Sequence, residues 1–174
     1  MKTKEQSMEK DLLDKELLFR NSLDPEQKTL ILKVKAVIDK VDIGPDSRGF
    51  ASWSPDKLIL AKEKLSRYSE PIGEWISYHA TRSDFSYIWR KGKMAAEFSP
   101  LKAKLAKDLK TTNLEVENLL TEKYLDQQYF SLFHRRQADY LIILMETVSK
   151  MIRSIDSQLR ELERQFKLPQ NGQS

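Results

Sequence analysis

The chain has 174 residues, 40% of them hydrophobic and 32% charged, with five Gly, six Pro and no Cys. That length holds one or two domains, and an abundance of Leu, Lys, Glu, Ala and Arg with few breakers favours long helices over a sheet-based fold. No apolar run approaches the roughly 18 residues of a membrane span, the charged N-terminus carries no apolar signal core, and the lack of Cys removes disulfide and thiolate chemistry, so the expectation is a soluble, cytoplasmic protein.

In chain order, residues 2–20 are highly charged, and Met8, Leu12, Leu13, Leu17 and Leu18 form a narrow helical stripe, as expected of a peripheral helix. Asp24-Pro25 is a helix start, with Asp as cap and Pro where its missing N–H costs nothing. The helix it opens places Leu30, Ile31, Val34, Val37, Ile38 and Val41 on one face, and Gly44-Pro45 ends it. Residues 43–54 collect Gly and Pro into the clearest loop. Ser54-Pro55 starts the next helix, with Leu58, Ile59, Ala61, Leu65 and Tyr68 as its apolar face. Pro71 followed by Gly73 is expected to bend or break it. Ser99-Pro100 is expected to begin a short basic helix. Thr112 and Glu115 form a capping box that opens a helix with no Pro or Gly before Pro169. The domain reading is an N-terminal extension and loop over 1–50, a helical core over 51–168 and a disordered tail over 169–174.

Enzyme chemistry finds little support. His79 and His134 are far apart in sequence, and neither has a second ligand at metal spacing. Gly92-Lys93 lacks the other residues of a phosphate loop, and no nucleophile sits in a recognisable elbow. The expectation is a non-enzymatic protein with no metal or cofactor.

Two constellations carry the functional reading. The net charge of +4 is mild, but between Arg82 and Lys110 eight basic residues face three acidic ones, a local excess of +5. Aromatic residues interleave there: Phe85, Tyr87, Trp89 and Phe98. Single-stranded nucleic acid is bound by cations along the phosphates and by aromatic faces under the bases, so Arg82, Trp89, Arg90, Lys91, Lys93, Lys102, Lys104 and Lys107 are candidate contacts. The alternative is that Trp75, Phe85, Trp89 and Phe98 are core and the lysines a solvated face.

The second constellation is a heptad seam of Leu141, Met145, Val148, Ile152, Ile155, Leu159, Leu162 and Phe166, the pattern of a helix whose face is covered by another. Its first half, to Met151, has apolar flanks suited to a bundle core. From Ile152 the flanks are polar, as suits pairing with a second chain. Before Leu141 the seam decays through Ala138, His134 and Ser131. Packing within the chain and self-association are compatible readings.

The run LLTEKYLDQQYFSLFHRRQADYLIILMETVSKMIRSIDSQLREL resembles the C-terminal half of the recombination-mediator proteins of T-even-type phages. Ile152-Arg-Ser-Ile-Asp-Ser-Gln-Leu159 is similar to a segment of that family, and Leu101-Lys-Ala-Lys-Leu105 is similar to its basic stretch. The likeness spans residues 65–165. The family's turn after the basic helix has no counterpart, and neither do the first fifty residues. The resemblance implies a homo-oligomer that binds single-stranded DNA and helps a recombinase displace the single-strand-binding protein, with Lys102 and Lys104 at the DNA and Arg90, Lys91 and Lys93 nearby. The expectation is thus an all-α, elongated helical bundle with a long coiled-coil-like C-terminal helix, acting in DNA recombination. The rival is a structural or scaffold helical protein of a phage or adaptor assembly, with no nucleic-acid activity.

Overall fold

A computed structural model describes residues 24–43, 53–106 and 112–167. They form four helices: α1 (Pro25–Ile43), α2 (Pro55–Leu105), α3 (Asn113–Lys123) and α4 (Leu125–Lys167). The all-α class is as expected, and no described residue is in a strand. The stripe over 2–20, the loop over 44–52, the side chain of Val41, Lys107, Lys110 and the tail from Pro169 lie outside the described residues.

The starts follow the local chemistry. Asp24 accepts from the Glu26 amide at 2.7 Å, and the Leu58 amide donates to the Ser54 carbonyl at 3.1 Å. At α3 the capping box is complete: Glu115 N–H donates to Thr112 Oγ1 at 3.3 Å, and Thr112 N–H donates to Glu115 Oε2 at 2.7 Å.

Three expected boundaries fall elsewhere. Pro71 and Gly73 do not break the second helix, and Pro100 does not start a new one; α2 runs through all three for 51 residues. A proline inside a helix costs about 3 kcal/mol. Leu65 and Ile72, both fully buried on either side of Pro71, offset it with about 1.5–3 kcal/mol each. Conversely, the long C-terminal helix is interrupted at Tyr124, whose backbone leaves helical geometry (φ −107°, ψ 23°). Tyr124 is neither Pro nor Gly, so the cause is tertiary. Its side chain is buried, and its hydroxyl donates to Glu97 Oε1 on α2 at 2.6 Å.

The chain divides into two compact units, each built from segments distant in sequence. In the unit holding residues 24–75 and 140–167, the buried residues are mainly apolar: Val34, Leu58, Leu65, Ile72, Leu141, Val148 and Ile155 are all inaccessible to solvent, as is the polar Gln27. Here α2 and α4 run antiparallel. Lys62 pairs with Asp156 at 2.6 Å, while further along α2 a Cβ at Gly73 would stand 4.0 Å from Met145 Cε on α4. From α1, Lys35 lies over the Tyr140 ring at 5.6 Å.

In the unit holding residues 76–139, the same two helices again run antiparallel, but their shared face is polar. His79 Nδ1 meets His134 Nδ1 at 2.7 Å, and Ser131 Oγ donates to the Ser83 carbonyl at 3.0 Å. Ser86 Oγ donates to the Gln127 carbonyl at 3.0 Å, and Arg90 donates to Gln128 Oε1 at 3.2 Å. Beyond this ladder α3 closes an apolar cluster of Val116, Leu120 and Tyr124 against Met94, Phe98, Leu101 and Leu105.

Neither helix-interior glycine is required by its surroundings. A Cβ at Gly73 would make ordinary contact, and one at Gly92 would meet nothing within 4 Å. Gly73→Ala and Gly92→Ala are each expected to raise stability by about 0.5–1 kcal/mol, measured by urea denaturation. A loss at either site would show that the backbone there is not ordinary helix.

Candidate nucleic-acid interface

Helical spacing sorts the basic-aromatic residues of α2 into separate faces. Successive side chains are about 100° apart, so residues spaced by four and three share a stripe and residues spaced by two stand on opposite sides. Tyr78, Arg82, Phe85, Trp89 and Lys93 form one stripe, all exposed. Phe85 is 70% exposed and Trp89 40%. Lys91 stands across the helix with Tyr87, its Nζ 5.9 Å from that ring. Lys102 and Lys104 are exposed near the end of α2, again on opposite sides.

Arg90 is placed differently from the surface contact expected of it. It lies on the inward face with Ser86 and Met94, half-buried, its guanidinium shared between Gln128 and the Met94 sulfur, and its buried Nε has no partner. It serves the helix pair.

The exposed stripe adjoins a groove of about 480 Å³. Arg82, Phe85, Ser86 and Trp89 form one wall; Asp126, Gln127 and Phe130 of α4 form the other. The groove thus offers flat apolar rings together with amide, hydroxyl, carboxylate and guanidinium groups that can meet the polar edges of a base. Lys93 lies over the Trp89 ring at 5.7 Å, and Arg82 over the Tyr78 ring at 5.2 Å, within the range of cation–π attraction. Tyr124 meets Trp89 edge-on, ring centroids 5.8 Å apart, which fixes the indole.

Of the expected contacts, the structure brings Arg82, Trp89 and Lys93 together. Phe85 completes their stripe, and the spacing from Arg82 to Trp89 already placed it there. The wall from α4 was not legible, because it depends on which turn of α4 meets which turn of α2. Glu97 decides that meeting at the junction: one oxygen accepts from Tyr124 and the other binds Lys123 at 2.5 Å. These hydrogen bonds, Lys123 first, hold the Glu97 carboxyl below its ordinary pKa, while Lys123 and Tyr124 are pushed up by the same carboxylate.

The seam residues divide as well. Leu141, Val148 and Ile155 are fully buried within this chain alone; Met145, Ile152, Leu159 and Leu162 are half-buried, and Phe166 is 80% exposed. The turn from inward packing to exposure therefore comes after Ile155, one turn later than the change in flanking polarity suggested.

The histidine pair is the feature that sequence reasoning set aside. The two residues are 55 positions apart, yet their Nδ1 atoms share one hydrogen bond: one donates and the other accepts. Two nitrogens holding a zinc ion tetrahedrally would be roughly 3.3 Å apart. This pair is too close, and no group of three or more potential ligands occurs among the described residues. Phe130 and Phe133 pack on His134 with ring centroids at 4.3 and 5.3 Å, and Tyr78 packs on His79 at 5.2 Å. Burial among these rings lowers both imidazole pKa values to about 4; for His134, His79 and Arg82 add charge repulsion.

Because both folded-state values lie below the ordinary 6.5, the pair favours the folded state fully above pH 6.5 and loses that contribution as pH falls through about 4. The urea midpoint is expected to fall across that window, and His79→Leu with His134→Leu is expected to flatten the profile. An unchanged slope in the double variant would assign the acid sensitivity elsewhere. No family model, curated protein or solved structure matches this chain.

Proposed function

We propose that this chain is a non-enzymatic, cytoplasmic accessory protein of homologous recombination that binds single-stranded DNA and self-associates, as a recombinase-loading mediator does. The observation that carries the nucleic-acid part is the exposed stripe Tyr78–Arg82–Phe85–Trp89–Lys93 beside a groove with both stacking and hydrogen-bonding groups. Large aromatics left at the surface among cations suit bases and phosphates together. Recombination, the recombinase and the single-strand-binding protein enter through the resemblance to phage mediator proteins. Self-association rests on the last turns of α4, where Leu159, Leu162 and Phe166 continue the seam beyond the chain's own core. A scaffold role without nucleic acid is the second reading, favoured by the exposure of Phe85, Ile88, Leu114 and Leu119, which a protein could cover.

Anisotropy of a labelled oligothymidylate across a salt series separates the two. Affinity is expected to fall steeply with salt, and Lys93→Ala should lower the slope by about 0.7. Trp89→Ala should cost about 1–3 kcal/mol, a loss of roughly 5- to 150-fold. Lys91→Ala, on the opposite side of α2, should change little beside it. An absence of binding at low salt would leave the scaffold reading in place. For assembly, Leu159→Asp with Phe166→Asp is expected to reduce the mass seen by light scattering while helicity is kept. An unchanged mass would remove the end of α4 from the interface.

A further inference from the structure

A second cavity, of about 360 Å³, lies between α1 and the start of α2. Its apolar lining is Val37, Leu60 and Ala61, with Trp53 at one side. Leu60 is 52% exposed, so its side chain is accessible to a ligand at this cavity. Around the rim stand Lys40, Lys57 and Lys64. All three are exposed, and none is paired with an acid among the described residues. No Asp or Glu stands three or four residues from Lys40, Lys57 or Lys64 along the chain, so none has a carboxylate at helical spacing.

The lining also says what the ligand is not. Among the described residues, the polar side-chain group at this cavity apart from the lysines is the Trp53 indole N–H, which is buried and has no acceptor there. The described lining holds no Ser, Thr, Asn, Gln, Asp or Glu to meet the donors and acceptors on a nucleobase, so a base buried against these residues would leave several unpaired. The groove of the other unit has those groups; the described lining of this cavity does not. A hydrocarbon or phenyl side chain loses nothing on entering it. The lysines, compact point charges lacking the planar fork of Arg, call for carboxylates around that side chain without demanding one geometry.

We propose that this cavity is a docking site for an acidic peptide segment of a partner protein, one that inserts a single large apolar side chain between Val37, Leu60 and Ala61 while its flanking carboxylates meet Lys40, Lys57 and Lys64. Its volume is at the small end of the range for ligand sites, enough for one such side chain and its neighbouring backbone. The site is independent of the nucleic-acid stripe, which lies on the other unit.

The test uses the full-length chain and a fluorescein-labelled peptide, Glu-Asp-Phe-Asp-Glu, followed by anisotropy at low and moderate salt. Saturable binding is expected, weakened at least tenfold when Phe is replaced by Ser, and at least tenfold when the four acids are replaced by Gln and Asn. Lys57→Glu with Lys64→Glu should abolish binding, and Leu60→Asn should weaken it at least tenfold. These positions are exposed, so circular dichroism should report unchanged helicity. Trp89→Ala should leave peptide binding unaffected, which separates this site from the stripe. No saturation up to about 1 mM peptide would overturn the proposal. So would an oligonucleotide that displaces the peptide in the Trp89→Ala variant, which would make the cavity a nucleotide site. A self-association lost on Lys57→Glu would overturn it too, by assigning the cavity to a second copy.

Discussion

The arrangement of the 76–139 unit depends on one carboxylate. Glu97 engages Tyr124 with one oxygen and Lys123 with the other, at the point where α3 ends and α4 begins. A long helix that needs no break by its own sequence is broken there, because Tyr124 is held sideways into an apolar cluster that includes Val116 and Leu120. Everything that α4 contributes further along in this unit, from the groove wall at Asp126 to the imidazole at position 134, is counted from that anchor. The contact is solvent-accessible and ordinary in strength for an ion pair. Its importance is positional.

The helices themselves were largely legible. Asp24-Pro25, Ser54-Pro55 and the Thr112–Glu115 box are local signals that satisfy orphan amides within a few residues, so they need no partner to be read. The errors share a physical origin. Pro71 and Pro100 are tolerated in α2, Pro71 because buried Leu65 and Ile72 hold the helix on either side of it, and Tyr124 interrupts because of a contact 27 positions away. Tertiary terms of a few kcal/mol are enough to override local propensity in either direction.

The fading of the heptad pattern before Leu141 has a related explanation. Ala138 and His134 are buried in the same manner as the leucines that follow, and Ser131 faces Ser83. The α4 residues that meet α2 are mainly polar in the 76–139 unit and mainly apolar in the other. A pattern built on hydrophobicity loses sight of a face whose buried groups are imidazoles and hydroxyls. The same blindness separated His79 from His134, and it hid the α4 wall of the groove. The two cavities likewise differ in a way that composition alone conceals: one mixes rings with hydrogen-bonding groups, while the other sets an apolar hollow within a ring of lysines.

The polar face between α2 and α4 also determines which alignments of the two helices are allowed. Apolar seams tolerate sliding, since one leucine replaces another at each turn. A slip of one turn in the 76–139 unit would set His79 against Phe130 or Ala138 and separate Ser83 from Ser131 and Ser86 from the Gln127 carbonyl. Each buried polar group left alone costs about 1–3 kcal/mol. Three such rungs in succession make the ladder a key that fits one alignment. Phe85 and Trp89 from one helix and Phe130 from the other form two walls of a single groove in that alignment alone.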